Sequence, residues 1–188
     1  MSKIALKGFT AARVWPVTTN DAAIYVTGTM IPLPSAQGLT KDVSRSEYTI
    51  YADDGVYDSG ADFLYEDLEF TVAELPLEIE STLTGGTFST VDKTYLFKNS
   101  DNSPEFAFGY AARRVDGEYR MFKHYSMKLI SIKVDHATIS DSKDIQAYKL
   151  KFRATQRVAD GAVRFTKDSS DGTYTWLNTI DQLPVEGA

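Results

Sequence analysis

The chain has no cysteine, which removes disulfide scaffolds, thiolate metal sites and cysteine nucleophiles together. Histidine occurs only twice, as His124 and His136, too few for a histidine-rich metal site. No stretch of about eighteen apolar residues is present, so no membrane-spanning helix is expected. The opening MSKIALKGFT is too short in its apolar part to read as a secretory signal. A formal charge of −6 argues against DNA wrapping and against a polybasic membrane anchor. The G-x-S-x-G elbow, the P-loop and G-x-G-x-x-G are all missing.

What is present is a folding composition: 188 residues, 43% hydrophobic and 24% charged. That length fits one globular domain with a full core. Eleven tyrosines and ten phenylalanines, with many Thr and Val, tilt the expectation towards β structure.

Charge is unevenly distributed. Between residues 42 and 80 the acids are Asp42, Glu47, Asp53, Asp54, Asp58, Asp62, Glu66, Asp67, Glu69, Glu74, Glu78 and Glu80, against the single base Arg45. From 93 to 157 bases outnumber acids by thirteen to seven. Two readings follow: solvated faces that attract one another within one fold, or complementary patches that join one copy head-to-tail to the next.

Short strands are expected over 10–17 and 23–30, a loop over Pro34–Thr40, and an alternating strand over Arg45–Ala52. Ile31-Pro32-Leu33-Pro34 cannot lie in a central strand, because proline donates no backbone hydrogen bond. Asp54-Gly55 is a hairpin turn signal. Over Tyr65–Ala73, Glu66, Leu68, Phe70 and Val72 share one face, and Tyr65, Asp67, Glu69 and Thr71 the other. Together these segments read as a long acidic hairpin.

A helix is expected at about 75–84. Pro76 suits its first turn, Leu75, Ile79 and Leu83 fall on one stripe, and Gly85-Gly86 ends it. Three strands follow over Glu105–Val115, Tyr119–His136 and Ile145–Arg157, with a tight turn at Asp116-Gly117 and a polar connection at Asp141–Asp144. In the last strand Tyr148, Leu150, Phe152 and Ala154 point one way, while Lys149, Lys151 and Arg153 form a basic outer row. The domain is read as 1–165, with the hairpin over 45–72. Residues 166–188 are read as a C-terminal extension, docked loosely or ordered on assembly.

Chemical sites are hard to find in this pattern. His124 and His136 sit on one strand, on the order of 40 Å apart if extended, and cannot share a metal. Asp53-Asp54-Gly55 lacks the spacing and later bidentate Glu of a calcium loop. Glu66 and Asp67 point to opposite sides of a strand, which is unsuited to an acid/base pair. No cofactor and no enzyme activity are expected.

The string Tyr51-Ala52-Asp53-Asp54-Gly55-Val56-Tyr57-Asp58, followed by Glu66-Asp67-Leu68-Glu69-Phe70-Thr71-Val72-Ala73-Glu74-Leu75-Pro76, resembles the major tail proteins of long-tailed, siphovirus-type phages of Gram-positive bacteria. Phe106–Arg113, ending in YAAR, and Leu150–Thr155 are similar to later parts of that family, although Gln156-Arg157 stands where proline often sits. The resemblance implies a mainly β fold of two packed, roughly orthogonal antiparallel sheets. This phage tail-tube-like β-sandwich would carry one flanking short α-helix and a long β-hairpin loop, and is shared with type VI secretion tube proteins. It implies homo-hexameric rings stacking head-to-tail into a tail tube, assembled in the host bacterial cytoplasm. A tape-measure protein, a tail terminator and a distal tail protein would be its partners in the virion. DNA would pass through without specific binding.

Within that picture Asp53, Asp54, Gly55, Val56, Tyr57, Asp58 and Phe63 are the expected contact loop to a neighbouring ring or subunit. Glu47, Asp67 and Glu69 are the expected lumen-facing acids, whose charge would repel phosphates so that DNA slides. A tube subunit of a phage-tail-like bacteriocin has the same chemistry. A different class of reading is a monomeric β-sandwich carbohydrate-binding module with Tyr57, Trp176 or Trp15 as stacking platforms. A carboxylate-pair hydrolase ranks last.

Overall fold

In the computed structural model residues 5–134 and 147–180 are described. The described residues are mainly β, with two antiparallel sheets and one α-helix among them. The strands are β1 (Leu6–Asn20), β2 (Tyr25–Thr27), β3 (Ile31–Pro32), β4 (Ala36–Ala52), β5 (Gly55–Val72), β6 (Thr87–Ser89), β7 (Thr94–Leu96), β8 (Glu105–Arg114), β9 (Tyr119–Val134), β10 (Tyr148–Thr155) and β11 (Arg164–Asp168). The helix α1 is Leu77–Thr84. The large sheet runs β2-β1-β8-β9-β10-β5-β4, with β3 added to β1 and β11 to β9; β6 and β7 form the small sheet. His136, the Asp141–Asp144 connection and the end of the expected extension, 181–188, lie outside the described residues.

The large sheet coils over on itself. In a flat sheet β8 and β5 would be three spacings apart, roughly 14 Å. Instead Phe108 of β8 stacks on Phe70 of β5 with ring centroids 5.2 Å apart, and Phe70 stacks equally closely on Phe152 of β10. β1 also approaches β4. The buried faces of these strands meet inside the coil as one core that includes Val14, Leu68, Phe70, Phe106, Phe108, Met127, Leu150 and Phe152. The two-residue alternation of β5 and β10 places Leu68, Phe70, Leu150 and Phe152 inward as expected.

The helix docks the expected stripe: Leu75 and Leu83 are buried and Ile79 packs against the core. Pro76 is its N-cap, and the Pro76 carbonyl accepts the Glu80 N–H. Gly85 closes it at φ +81°, where a Cβ would lie 2.2 Å from the Asn102 carbonyl oxygen. Glycine alone fits there.

Three local readings need correction. The segment 34–40 is not all loop: β4 begins at Ala36 and pairs with β5 from that point. Ala36 and Leu39 pack against the core, but Gly38 between them and a register shift at Ala36/Gly38 break the period-two pattern. The hairpin turn is centred on Asp53-Asp54 (φ +48° and +63°), with Ala52 opposite Gly55. Aspartate tolerates this left-handed backbone, so Gly55 is free to start a strand. The extension from residue 166 is docked rather than loose over its described part, 166–180. β11 pairs with β9, and Leu177, in a short 3-10 turn over Thr175–Asn178, is fully buried against Ala111 and Met121.

Candidate assembly surface

The hairpin β4–β5 has two unlike halves. In the proximal half, residues 66–72 of β5 pair with β10 on one side and β4 on the other. Pairing with β10 ends at Glu66↔Ala154, and beyond it β4 and β5 continue alone. From Tyr65 to Gly55 the ribbon advances roughly 33 Å at about 3.3 Å per residue.

This distal ribbon carries apolar side chains in the open: Tyr57 is 77% exposed, Tyr51 73% and Val56 61%, and Tyr48, Ile50, Phe63 and Leu64 are also exposed. The Tyr48 ring lies across Gly60, where an added Cβ would come within 2.6 Å of the phenol oxygen. That contact fills the gap a strand glycine leaves. A bare two-stranded ribbon is marginal in water, and its edges are unpaired. The expected contact residues Asp53, Asp54, Gly55, Val56, Tyr57, Asp58 and Phe63 all lie on this ribbon, as strand and turn rather than as a loop.

The expected lumen acids are split. Glu47 lies on the distal ribbon, opposite Ala61. Asp67 and Glu69 lie on the outer face of the proximal half. Asp67 is not a free charge: Arg153 Nε is 2.8 Å and Lys151 Nζ 3.0 Å from its carboxylate oxygens. The hydrogen bond from Arg153 leads the causes that hold this carboxyl below the usual range. Glu69 sits opposite Lys151. Lys149, Lys151 and Arg153 share this face with Lys128 and Lys133 of β9, so the face is mixed in charge. Two of the twelve acids between 42 and 80, Glu66 and Asp67, are thus ion-paired within the protomer. Among the described residues the distal acids Asp53, Asp54, Asp58 and Asp62 have no ion pair.

Inside the coil lies a second cluster. Glu66, on the inward row with Leu68 and Phe70, is almost fully buried. Its carboxylate meets Arg164 Nη1 at 2.9 Å, His124 Nε2 at 3.2 Å and Lys41 Nζ at 3.8 Å. Burial alone raises its pKa, but the His124 hydrogen bond and the nearby cationic groups outweigh burial and hold it below the ordinary value. His124 is fully buried, and desolvation keeps its pKa below 6.5, so the neutral ring donates from Nε2 to Glu66. Both groups are committed to one another, which suits structural locking of β4, β5, β9 and β11 better than proton transfer. Arg157 is another buried anchor. Asp160 binds it bidentately at 2.9 and 2.6 Å, and the rings of Tyr25 and Tyr125 cover its guanidinium.

Of the three proposed sugar platforms, Trp15 is 3% exposed and Trp176 is covered by Lys123 Nζ, 3.7 Å from its ring centroid. Tyr57 alone is open. Among the described residues no group of three or more His, Asp or Glu is placed to hold a metal. A groove of about 400 Å³ lies between α1, β7 and β9, lined by Glu80, Thr84, Tyr95, Phe97 and Ile130 among others.

No family model and no curated protein matches the chain. Among solved structures it is similar to a chain of the cryo-EM structure of an extracellular contractile injection system, the PVC sheath-tube complex in its extended state. That match has 8% identity and a TM-score of 0.44, covering 84% of this chain and 88% of that one. It is also similar to a chain of the cryo-EM structure of the anti-feeding prophage cap, the AFP tube terminating cap. Here identity is 11% and the TM-score 0.41, covering 82% and 88% respectively. No functional conclusion follows from likenesses this distant.

Proposed function

We propose that the chain is a structural subunit that polymerises into a tail tube, a non-enzymatic role. The observation that carries this is the distal ribbon, an apolar, edge-exposed arm that extends beyond the buried core. A monomer gains nothing from such an arm, and exposed apolar area of this kind marks interaction sites. In a polymer the arm is covered and the open outer edge of β4 finds a partner.

The finer reading follows the sequence resemblance. Six copies form a ring, rings stack into the tube of a long-tailed phage or a phage-tail-like bacteriocin, and the tube is the conduit for DNA ejection. A tape-measure protein, a terminator and a distal tail protein are its partners in the virion tail. In this reading the distal ribbon, with Asp53, Asp54, Val56, Tyr57, Asp58 and Phe63, contacts the next subunit or ring. Glu47, Asp67 and Glu69 face the lumen. Of these, Glu69 and Glu47 supply repulsion to phosphates, and Asp67 serves chiefly to neutralise Arg153 and Lys151.

Electron microscopy of the purified chain tests the reading. Rings or tubes are expected; a monomer at high concentration and moderate salt would overturn it. The carbohydrate-module reading loses two of its three platforms, Trp15 to burial and Trp176 to Lys123.

A further inference from the structure

The counterpart of the acidic ribbon tip is visible on the same chain. At the start of β1 Lys7 lies directly opposite Arg113 of β8, and Arg113 lies opposite Tyr119 of β9. Two cations facing each other across strands repel, and sheets avoid the pairing unless something compensates it. Among the described residues neither has a carboxylate partner. The acids nearby are already engaged: Asp116 by Arg114, Asp168 by Arg120 and Arg114, and Glu118 by the Ser169 hydroxyl and the Gly172 N–H.

The two cations border a hollow of about 440 Å³ lined by Lys7, Gly8, Phe9, Thr10, Arg113 and Tyr119. Gly8 makes a bulge there at φ +70°, and the space above its Cα is open. Exposed Leu6 and Val115 stand beside it. The hollow thus has two cations with no carboxylate partner among the described residues, aromatic walls and an apolar rim. The ribbon tip has Asp53 and Asp54, likewise without an ion pair among the described residues, with Tyr51, Val56 and Tyr57 beside them.

We propose that the Lys7/Arg113 hollow is the receptor for the Asp53-Asp54 ribbon tip of a second copy of this chain. This rests on the tube reading above and adds to it the site on the neighbour. Sign complementarity sets the register, and the Val56 and Tyr57 side chains bury against the aromatic wall. Each copy carries one tip and one hollow at different places, so the contact is heterologous and propagates.

The test uses the full chain. Zero-length carbodiimide cross-linking of a mixture of ¹⁵N-labelled and unlabelled protein should join Lys7 of one copy to Asp53 or Asp54 of another, read by mass spectrometry. The K7E/R113E variant, folded by circular dichroism, should raise the concentration needed for polymer at least about tenfold, because like charges then face each other. Adding D53K/D54K to the same chain should restore polymer. If tubes form without this cross-link, or K7E/R113E polymerises like the parent, the receptor is misassigned while the tube reading stands. Binding of duplex DNA lost in K7E/R113E, with no Lys7 cross-link, assigns the hollow to phosphate and also overturns the proposal. If the parent never leaves the monomeric state, the tube reading fails and takes this inference with it.

Discussion

The two halves of the β4–β5 hairpin have similar amino acids and opposite fates. Proximally, Glu66, Leu68, Phe70 and Val72 are buried, and Glu66 and Asp67 each meet cationic groups on other strands. Distally, Tyr51, Val56 and Tyr57 stay in solvent, and the acids have no ion pair among the described residues. What separates them is the third strand: β10 pairs up to Glu66 and supplies both the apolar ceiling and the basic row, and past that point neither exists. The proximal half stabilises the protomer; in the proposed polymer the distal half meets a neighbour.

The sharpest way to break this contrast is in the core. Phe70→Ala removes the ring that stacks on both Phe108 and Phe152, and should cost about 3–5 kcal/mol in urea unfolding. Tyr57→Ala, an equally drastic truncation in the distal half, should stay within about 0.5 kcal/mol. A large loss for Tyr57→Ala in the monomer would mean the ribbon is packed after all.

Charge gives the next contrast. Glu66→Ala leaves Arg164 and Lys41 facing a buried void and should cost roughly 3 kcal/mol. Asp58→Asn on the ribbon should change monomer stability by a few tenths of a kcal/mol at most, about what surface substitutions do. Equal effects in the same assay would remove the distinction between the halves.

A pH titration sharpens the proximal side. His124 is held below its ordinary 6.5, so the unfolded chain takes up a proton there that the folded chain refuses; stability present above pH 6.5 begins to be lost below it. Glu66 is held below its ordinary 4.5, so its contribution is present above that value and is lost as pH falls through the lower folded one. The melting temperature should therefore drop on acidification from about pH 6.5 and fall further below 4.5. In His124→Gln the first part of that drop should flatten. An unchanged profile would take His124 out of the account.

Among the proximal-half substitutions, the smallest effect is expected for Asp67→Asn. This half-buried carboxylate pairs with Arg153 and Lys151, and its loss should cost about 1 kcal/mol or less, diminishing in high salt.

Much of the proximal half was legible in the sequence because period-two alternation over 65–73 and 148–154 fixes which side chains face inward. The helix stripe, its glycine end and the Asp116-Gly117 turn were legible for the same local reason. The alternation even placed Glu66 on the buried row. It could not name His124, Arg164 and Lys41 as the partners, because coiling of the sheet brings them together from distant positions in the chain. The burial of Arg157 was hidden likewise, since it depends on Tyr25 and Tyr125 from two other strands. In the ribbon, the composition of the tip was readable but its conformation was not. The Asp-Gly signal drew the turn one residue too far, since two aspartates carry the positive φ angles. The Lys7–Arg113 opposition had no local signature at all; it follows from the pairing of β1 with β8 and the bulge at Gly8.

The most direct test of the central claim compares sedimentation of the full chain with a variant lacking residues 53–62. The account predicts that the parent forms large polymers. The shortened chain should melt at the same temperature yet sediment as a monomer at every concentration. Polymers of undiminished length from the shortened chain would contradict it.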